Sequence, residues 1–350
     1  MSETVLKSLN AALHAMMGED ERVILIGEDL LDPYGGAFKV SKGLSTAYPA
    51  RVWTSPISEA GFTGVAAGMA MRGLRPIVEI MFGDFLMLAA DQLLNHITKY
   101  RWMYNDQVDV PIVIRAPMGG RRGYGPTHSQ TIEKHFIGMP GLVVVAPSPF
   151  HVPGDLLRHA VLEELRPVVF VENKLMYSRR LRQPSQTGQI DELYTQRTKG
   201  PYPTVTLSYD AFEEADVTLV AYGGMAELAV EATKELLMHD EIYCEVVIPS
   251  LIQSVDLAPI VESLGRTGRL VVCEEATGSG GWGADVIARV STQAFESLKS
   301  APVHVAAREF PIANAHALEE EILPQRDDII AAVRAAHRRK SARHLAIAEG

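Results

Sequence analysis

Short apolar runs rich in β-branched residues alternate with helix-like segments along the first half of the chain. The runs lie at 23–26, 76–80, 110–114, 142–145 and 168–171. The segments whose apolar residues recur at helical spacing lie at 62–71, 86–100 and 153–165. Continuous apolar runs suit strands that are covered on both faces, and strands that alternate with helices form mostly parallel sheets. The first half therefore predicts an α/β domain.

The same alternation returns in the second half. Strands are predicted at 217–220, 243–248, 270–273 and 303–305, and helices at 226–237, 282–295 and 327–336. Polar residues, prolines and arginines separate the two series and predict a linker. A chain of 350 residues allows two domains of about 100 to 200 residues each. We expect two three-layer α/β domains with mostly parallel sheets, at 1–180 and 211–337, with a linker at 181–210 and a basic tail at 338–350 that is a solvated helix end.

Composition argues against several classes of protein. The 43 acidic residues outnumber the 33 basic ones and give a net charge of −10, whereas nucleic-acid binders are usually basic. No apolar run approaches the roughly 18 residues of a membrane span, so neither a nucleic-acid nor a membrane partner is expected. Cys244 and Cys273 stand apart without a CxxC motif, which argues against disulfides or structural zinc and favours a cytoplasmic compartment.

Glu59 stands at the start of a helix-forming segment rich in small residues. Small residues let a helix pack closely against another backbone, and the exposed amides of a first helical turn stabilise a carboxylate. On local pattern alone, a structural first-turn glutamate is favoured over a catalytic one.

A glycine-rich loop at 119–130 follows a predicted strand and contains His128. Loops at the carboxyl ends of parallel strands bind ligands in α/β proteins, and histidine titrates near neutral pH. A proton-transferring histidine and a loop histidine bonded to the backbone fit this pattern equally well. Arg121 and Arg122 could likewise grip an anion or be solvated.

The sequence Phe82-Gly-Asp-Phe85 follows another predicted strand. Asp84 has the position of a helix N-cap. Phe85 could stack on a planar cofactor ring, although core packing is the commoner role for an aromatic residue at such a junction.

The glycines at 278–283 form a literal GxGxxG between a predicted strand and a helix, as in dinucleotide-binding sites. The pattern lies in the third strand–helix unit of its half, and Glu309 comes later than the ribose-binding acid of such sites. A structural turn is therefore favoured over a nicotinamide site.

Many short segments, in order along the chain, resemble one family. Over residues 3–336 the chain resembles the beta subunit of the thiamine-diphosphate-dependent decarboxylase component of 2-oxo acid dehydrogenase complexes, of the pyruvate and branched-chain types. The segments are GED at 27–29, GGAFKVSKG at 35–43, TSPISEAG at 54–61, RGLRP at 72–76, ADQ at 90–92, HSQ at 128–130, MPGL at 139–142, DVTLVAYG at 216–223, GRLVV at 268–272, EEA at 274–276 and GGWGA at 280–284.

The resemblance implies a transketolase-like pyrimidine-binding domain followed by a transketolase C-terminal domain. Glu59 matches the family glutamate that hydrogen-bonds a ring nitrogen of the thiamine aminopyrimidine and favours the imino tautomer, whose exocyclic nitrogen removes the thiazolium proton. Phe85 matches the aromatic residue beside the pyrimidine, and Ile57 matches a main-chain neighbour of it. His128 matches the histidine that positions substrate and takes part in reductive acylation of a lipoyl group.

The resemblance also implies metal sites. Family members hold a structural potassium ion partly through main-chain oxygens, and the matching positions are Ile112 and Ala160, although the sequence at 163–166 departs from the family loop. Family members bind the cofactor diphosphate through magnesium with a GDG motif and paired asparagines, and this chain has no GDG. A separate alpha subunit that supplies the magnesium site is therefore implied, in an α2β2 heterotetramer with thiamine diphosphate at each α/β interface.

The expected activity is decarboxylation of a 2-oxo acid and transfer of the acyl group to lipoyl-lysine, with a lipoyl acyltransferase as a possible partner. One alternative is an acyloin-forming or transketolase-like transferase subunit of a dedicated pathway. A NAD-binding oxidoreductase and a non-catalytic scaffold are further alternatives. The loop at 121–127 differs from the glycine- and alanine-rich family version, so Arg121, Arg122 or Tyr124 are candidates to recognise a polar group on the substrate.

Overall fold

The computed structural model describes residues 3–212 and 215–338 and divides them into two compact units. The first unit comprises the described residues up to Gly120 together with Thr127–Leu181. The second comprises Arg121–Pro126 and the described residues from Arg182 onward. A six-residue piece of the glycine-rich loop thus belongs to the second unit. The domain boundaries expected at 180 and 211 stay a prediction, and the tail from residue 339 lies outside the described residues.

The first unit is built on a six-stranded sheet in the order β2-β1-β3-β4-β6-β5. All of its strand pairs are parallel. The strands are β1 Val23–Gly27, β2 Val52–Thr54, β3 Arg75–Glu79, β4 Val113–Met118, β5 Val143–Val145 and β6 Val168–Asn173. Every residue of β1, β4, β5 and β6 is buried, as the continuous apolar runs predicted.

The α-helices that accompany this sheet in the described part of the chain are α1 Val5–Glu19, α2 Leu44–Ala47, α3 Glu59–Met71, α4 Tyr100–Met103 and α5 Pro153–Leu162. Helix α1 begins where the Thr4 side chain accepts the N–H of Lys7 at 3.3 Å, which is a capping bond. Its buried face includes Leu9, Leu13 and Met16. Helices α1 and α5 pack against each other, and α3 packs on β1 and β3.

The single helix expected at 86–100 is replaced by a 3₁₀ segment, Gly83–Ala89, and a π-helical segment, Gln92–Ile97. Both the backbone N–H and the hydroxyl of Thr98 donate to the Leu93 carbonyl, at 3.1 and 2.9 Å. This partner five residues back widens the turn, because an α-helix uses the carbonyl four residues back.

The second unit contains a seven-stranded sheet in the order β13-β12-β10-β11-β9-β8-β7. Strands β10 to β13 pair in parallel, whereas β7, β8 and β9 form an antiparallel edge. The strands are β7 Gln189–Ile190, β8 Leu193–Arg197, β9 Thr204–Ser208, β10 Val217–Ala221, β11 Cys244–Pro249, β12 Leu270–Thr277 and β13 Val303–Ala307. Its helices are α6 Met225–Asp240, α7 Ala258–Thr267, α8 Trp282–Gln293, α9 His316–Ile322 and α10 Arg326–Arg338.

Three of these strands, β7 to β9, lie in the segment expected to be a linker. Strand β8 is mostly exposed and polar, so its side chains carry no continuous apolar run. Strand β9 is buried, but its sequence Thr-Val-Thr-Leu-Ser alternates polar with apolar residues. It has no continuous apolar run of the kind that predicted the other buried strands. The second sheet is therefore mixed, with a parallel core as expected and an antiparallel edge that was not.

No helix within the described residues is long and apolar enough to cross a membrane.

Both cysteines are buried and free of disulfides, and burial raises the pKa of the Cys244 thiol to about 12. The expectation of unpaired cysteines in apolar strands agrees with this placement.

Candidate active site

Glu59 is the first residue of α3 and only 4% exposed. A buried carboxylate needs compensation, and the first-turn amides of α3 provide part of it. Small residues surround this start: a Cβ on Gly61 would lie 2.7 Å from Ser58 Oγ. Helix α3 packs against the 3₁₀ segment that contains Phe85, so the fold brings these two elements together.

A second carboxylate, Glu28, follows β1 directly and is 6% exposed. Burial, and then the charge of Glu59, raises the pKa of Glu28. Glu28 Oε1 has no hydrogen-bond partner among the described residues. Two acidic groups therefore share one buried region at the carboxyl end of the sheet, and their mutual repulsion adds to the effect of burial on Glu28.

His128 lies among aromatic rings. Its imidazole centroid is 4.7 Å from that of Phe82 and 5.2 Å from that of Phe85, both in edge-on geometry. The Thr127 hydroxyl lies 3.0 Å from His128 Nδ1. The structure thus groups Phe85 and His128, two residues singled out from separate parts of the sequence.

Asp84 is not the N-cap that its position suggested. It lies inside the 3₁₀ segment, where Phe82 is the N-cap residue. Its Oδ1 accepts the backbone and side-chain N–H groups of Gln130 at 3.2 and 2.9 Å. The same segment lies close to the end of β4 at Gly83, where a Cβ would collide with the Met118 side chain.

The remaining candidates lie elsewhere in the first unit. Ile57 precedes α3 and is 83% exposed, and its main-chain contact with the cofactor stays a prediction. Ile112 is fully buried, and its carbonyl accepts the Val168 N–H at 2.9 Å. Ala160 lies in the last turn of α5, and the N–H of Glu164, the usual partner of its carbonyl, donates instead to His159.

The loop piece 121–126 is fixed within the second unit. Both carboxylate oxygens of Glu319, which is 2% exposed, accept backbone N–H groups, from Arg121 at 2.7 Å and from Gly123 at 3.1 Å. The Arg121 guanidinium donates to Gln325 at 3.1 Å and to the Pro324 carbonyl. The Arg122 guanidinium lies 5.5 Å from the Tyr124 ring centroid, and both residues are exposed.

The GxGxxG glycines do not form an open phosphate cradle. Glu274, fully buried, accepts the N–H groups of Trp282 at 3.0 Å and of Gly283 at 2.9 Å at the start of α8. A Cβ on Gly281 would collide with the same carboxylate. Glu309, the candidate ribose ligand, accepts the Ser279 N–H at 3.0 Å. An internal carboxylate thus occupies the place that a diphosphate would take, and the structural turn is the better interpretation.

Two family models match the chain: "Transketolase, pyrimidine binding domain" over residues 3–179 and "Transketolase, C-terminal domain" over residues 211–329. A rice protein named pyruvate dehydrogenase E1 component subunit beta-2, mitochondrial, is 38% identical over 96% of this chain and 86% of its own length. The chain belongs to the E1 beta-subunit family of 2-oxo acid dehydrogenases.

Other E1 beta subunits and one solved structure agree. The pyruvate dehydrogenase E1 component subunit beta of Rickettsia conorii is 35% identical over 95% of this chain and 98% of its own length. A solved split-gene transketolase, titled an inactive beta4 tetramer, has a TM-score of 0.71 at 24% identity and covers 97% of this chain and 100% of its own. This second likeness confirms the transketolase-like α/β fold.

Sequence reasoning missed the buried charged residues Glu28, Lys174 and Glu274. Glu28 and Glu274 lie in the family segments GED and EEA; Glu28 comes two residues after the apolar run at 23–26, and Glu274 directly follows the run at 270–273. A charged residue at the end of a buried strand was the available signal, but the sequence does not reveal which polar group it meets.

Proposed function

We propose that this chain is the beta subunit of a thiamine-diphosphate-dependent 2-oxo acid dehydrogenase, which decarboxylates its substrate and transfers the acyl group to lipoyl-lysine. The observation that carries this proposal is Glu59, a carboxylate 4% exposed at the first turn of α3, in a chain of the E1 beta family. The names of the relatives favour this activity over a stand-alone transferase.

The residues present fit thiamine diphosphate. Glu59 offers a buried carboxylate to a ring nitrogen, and the unpartnered Oε1 of Glu28 indicates a polar group still to be accommodated in the same region. Phe85 offers an apolar ring face beside His128. The cofactor supplies an electron sink when bound, and Glu59 holds and moves the proton at the pyrimidine nitrogen.

His128 is proposed to contact the substrate and the incoming lipoyl group. Its ring packs edge-on against both Phe82 and Phe85. An imidazole held in place can orient a reacting group and transfer a proton to or from it. Ile57 is proposed to contact the pyrimidine through its main chain.

An alpha subunit is proposed as the obligate partner, in an α2β2 heterotetramer. The sequence has no GDG motif, and no group of three or more metal-binding side chains occurs within the described residues. Magnesium and the diphosphate are therefore assigned to the partner.

A lipoyl acyltransferase is proposed as the component that accepts the acyl group, and the cytoplasm is proposed as the compartment. Affinity purification from fractionated cells tests both proposals.

The decisive experiment is co-expression with the candidate alpha subunit and a screen of 2-oxo acids with ferricyanide as the electron acceptor. We expect turnover that requires both chains and added thiamine diphosphate. Turnover by the beta chain alone, or none with any 2-oxo acid by a correctly assembled complex, contradicts the proposal. Titration of the chain with NADH separates the oxidoreductase alternative, which requires saturable binding.

A further inference from the structure

Lys174 is a buried cation next to the candidate site. It directly follows β6, begins a 3₁₀ segment, Lys174–Ser178, and is 1% exposed. Removing an ammonium group from water costs free energy unless hydrogen bonds replace its hydration. A buried lysine therefore stays in place only where the surrounding groups hold its head in a defined position.

The Lys174 ammonium contacts the backbone of His128 and an aromatic ring that packs against the His128 side chain. Its Nζ donates to the main-chain carbonyl of His128. The same Nζ lies 5.2 Å from the ring centroid of Phe82, a cation–π distance. The Phe82 ring in turn packs at 4.7 Å against the His128 imidazole. One cation thus fixes the backbone of His128 and the ring against which its side chain rests.

A second set of hydrogen bonds fixes the chain at Gln130, two residues after His128. Gln130 donates two N–H groups to Asp84 Oδ1. Its carbonyl accepts the N–H of Gly119 at 3.2 Å, and this bond closes the base of the glycine-rich loop. His128 therefore lies two residues from a closed loop base, and its own carbonyl is bonded to Lys174.

We propose that Lys174 is a positioning residue that sets the orientation of His128 for reaction with the lipoyl group. This inference rests on the function proposed above. Reacting groups must be held to within a fraction of an ångström, and a small displacement can lower a rate about 100-fold. Lys174 acts through His128 and makes no contact of its own with substrate in this scheme.

A double-mutant cycle on the assembled holoenzyme tests the inference. The variants are K174M, which keeps the length of the side chain but removes the charge and donors, H128Q, and both together. Each is assayed for decarboxylation with ferricyanide and for acylation of a free lipoyl domain. We expect K174M to lower lipoyl acylation about 10- to 100-fold. The ratio of the acylation rate to the decarboxylation rate should be the same in K174M as in H128Q. The double variant should be no slower than H128Q, because coupled residues are not additive.

Two controls and one replacement variant make the result specific. K174R, which keeps a charged donor, should restore at least part of the acylation rate, and K234M, which removes an exposed lysine on α6, should match the wild type. If K174M does not assemble with the alpha subunit, K174Q enters the same cycle. Losses that multiply in the double variant, or a K174M enzyme with unchanged acylation, overturn the inference. A wild-type holoenzyme without activity on any 2-oxo acid overturns the proposed function instead.

Discussion

The charge of Glu59 raises the pKa of Glu28, a carboxyl that burial already holds above its usual range. At a pH above the ordinary carboxyl pKa, Glu28 is ionised in the unfolded chain. In the folded chain, the same side chain must either stay protonated or carry a charge in a buried place. The cost to folding therefore grows as the pH rises toward the raised pKa and is absent at acid pH.

Replacement of Glu28 by glutamine removes this cost. We expect E28Q to unfold at a higher urea concentration than the wild type at pH 7 and at nearly the same concentration at pH 4. Each unit of pKa difference corresponds to about 1.4 kcal/mol. Urea unfolding of both proteins at the two pH values measures the effect. A gain in stability that is larger at pH 4 than at pH 7 contradicts this sign of the pH dependence.

Replacement of Glu59 by glutamine tests the proton-holding role. We expect E59Q to lower ferricyanide-coupled turnover by about 10²- to 10⁴-fold, the usual contribution of a positioned acid or base. Assembly with the alpha subunit, followed by size-exclusion chromatography, should be unchanged. Glu21, an exposed glutamate, gives the matched control E21Q. An E59Q enzyme with more than a tenth of the wild-type turnover is incompatible with the role.

Replacement of Glu274 by alanine tests whether its carboxylate stabilises the start of α8. The variant leaves the N–H groups of Trp282 and Gly283 and the His304 Nε2, which lies 2.7 Å from the carboxylate, without this partner. We expect the free energy of unfolding to fall by about 2–6 kcal/mol, since each of the two buried N–H groups left unbonded costs about 1–3 kcal/mol. Glu262, exposed on α7, provides the control E262A. Unchanged stability, or NADH binding that appears in the wild type, would point to an open ligand site.

The two arginines of the loop should differ in effect. Arg121 is bonded to Gln325 and Pro324, so R121A should lower the free energy of unfolding by about 1–2 kcal/mol and leave the order of substrate preference unchanged. Arg122, exposed beside Tyr124, is the remaining candidate for substrate recognition. R122A should change the ratio of kcat/KM between 2-oxo acids with and without a polar side chain. An unchanged ratio removes Arg122 from this role.

The potassium site expected from the family resemblance at Ile112 and Ala160 is testable through stability. The carbonyl of Ile112 accepts one N–H and keeps a second lone pair, and the carbonyl of Ala160 has lost its usual helical partner to His159. Carbonyl oxygens suit a hard cation. We expect a higher Tm in potassium chloride than in sodium chloride at equal ionic strength, by an amount equivalent to about 2.7 kcal/mol at 100 times the Kd. Identical Tm values in the two salts argue against the site.

The sequence predicts those features whose signal is local. The buried strands of the first sheet follow from continuous apolar runs, and Glu59 at a helix start follows from the small residues after it. Strand β8 was missed because its exposed side chains leave no apolar run. The π-helical segment was missed because the bond from the Thr98 N–H to the Leu93 carbonyl differs from an α-helical bond only in which of two neighbouring carbonyls accepts it, and no residue pattern marks that difference.

Side-chain partners distant in sequence were beyond local patterns. Nothing near Lys174 indicates that its ammonium meets the carbonyl of His128, 46 residues earlier. Glu319 and Arg121 are 198 residues apart, and Glu274 turns a motif associated with cofactor binding into a closed turn. Family resemblance supplied the proposed roles of Glu59 and His128, whereas these pairings required coordinates.

The hexapeptide Arg121–Pro126, held by Glu319 as part of the second unit, makes the polypeptide leave and re-enter the first unit once before its final exit after Leu181. A gene divided at codon 181 would place the hexapeptide and its glutamate on different translation products. Neither product would carry a self-contained module, so efforts to shuffle or swap the two halves between homologues must transfer positions 121–126 together with the downstream half.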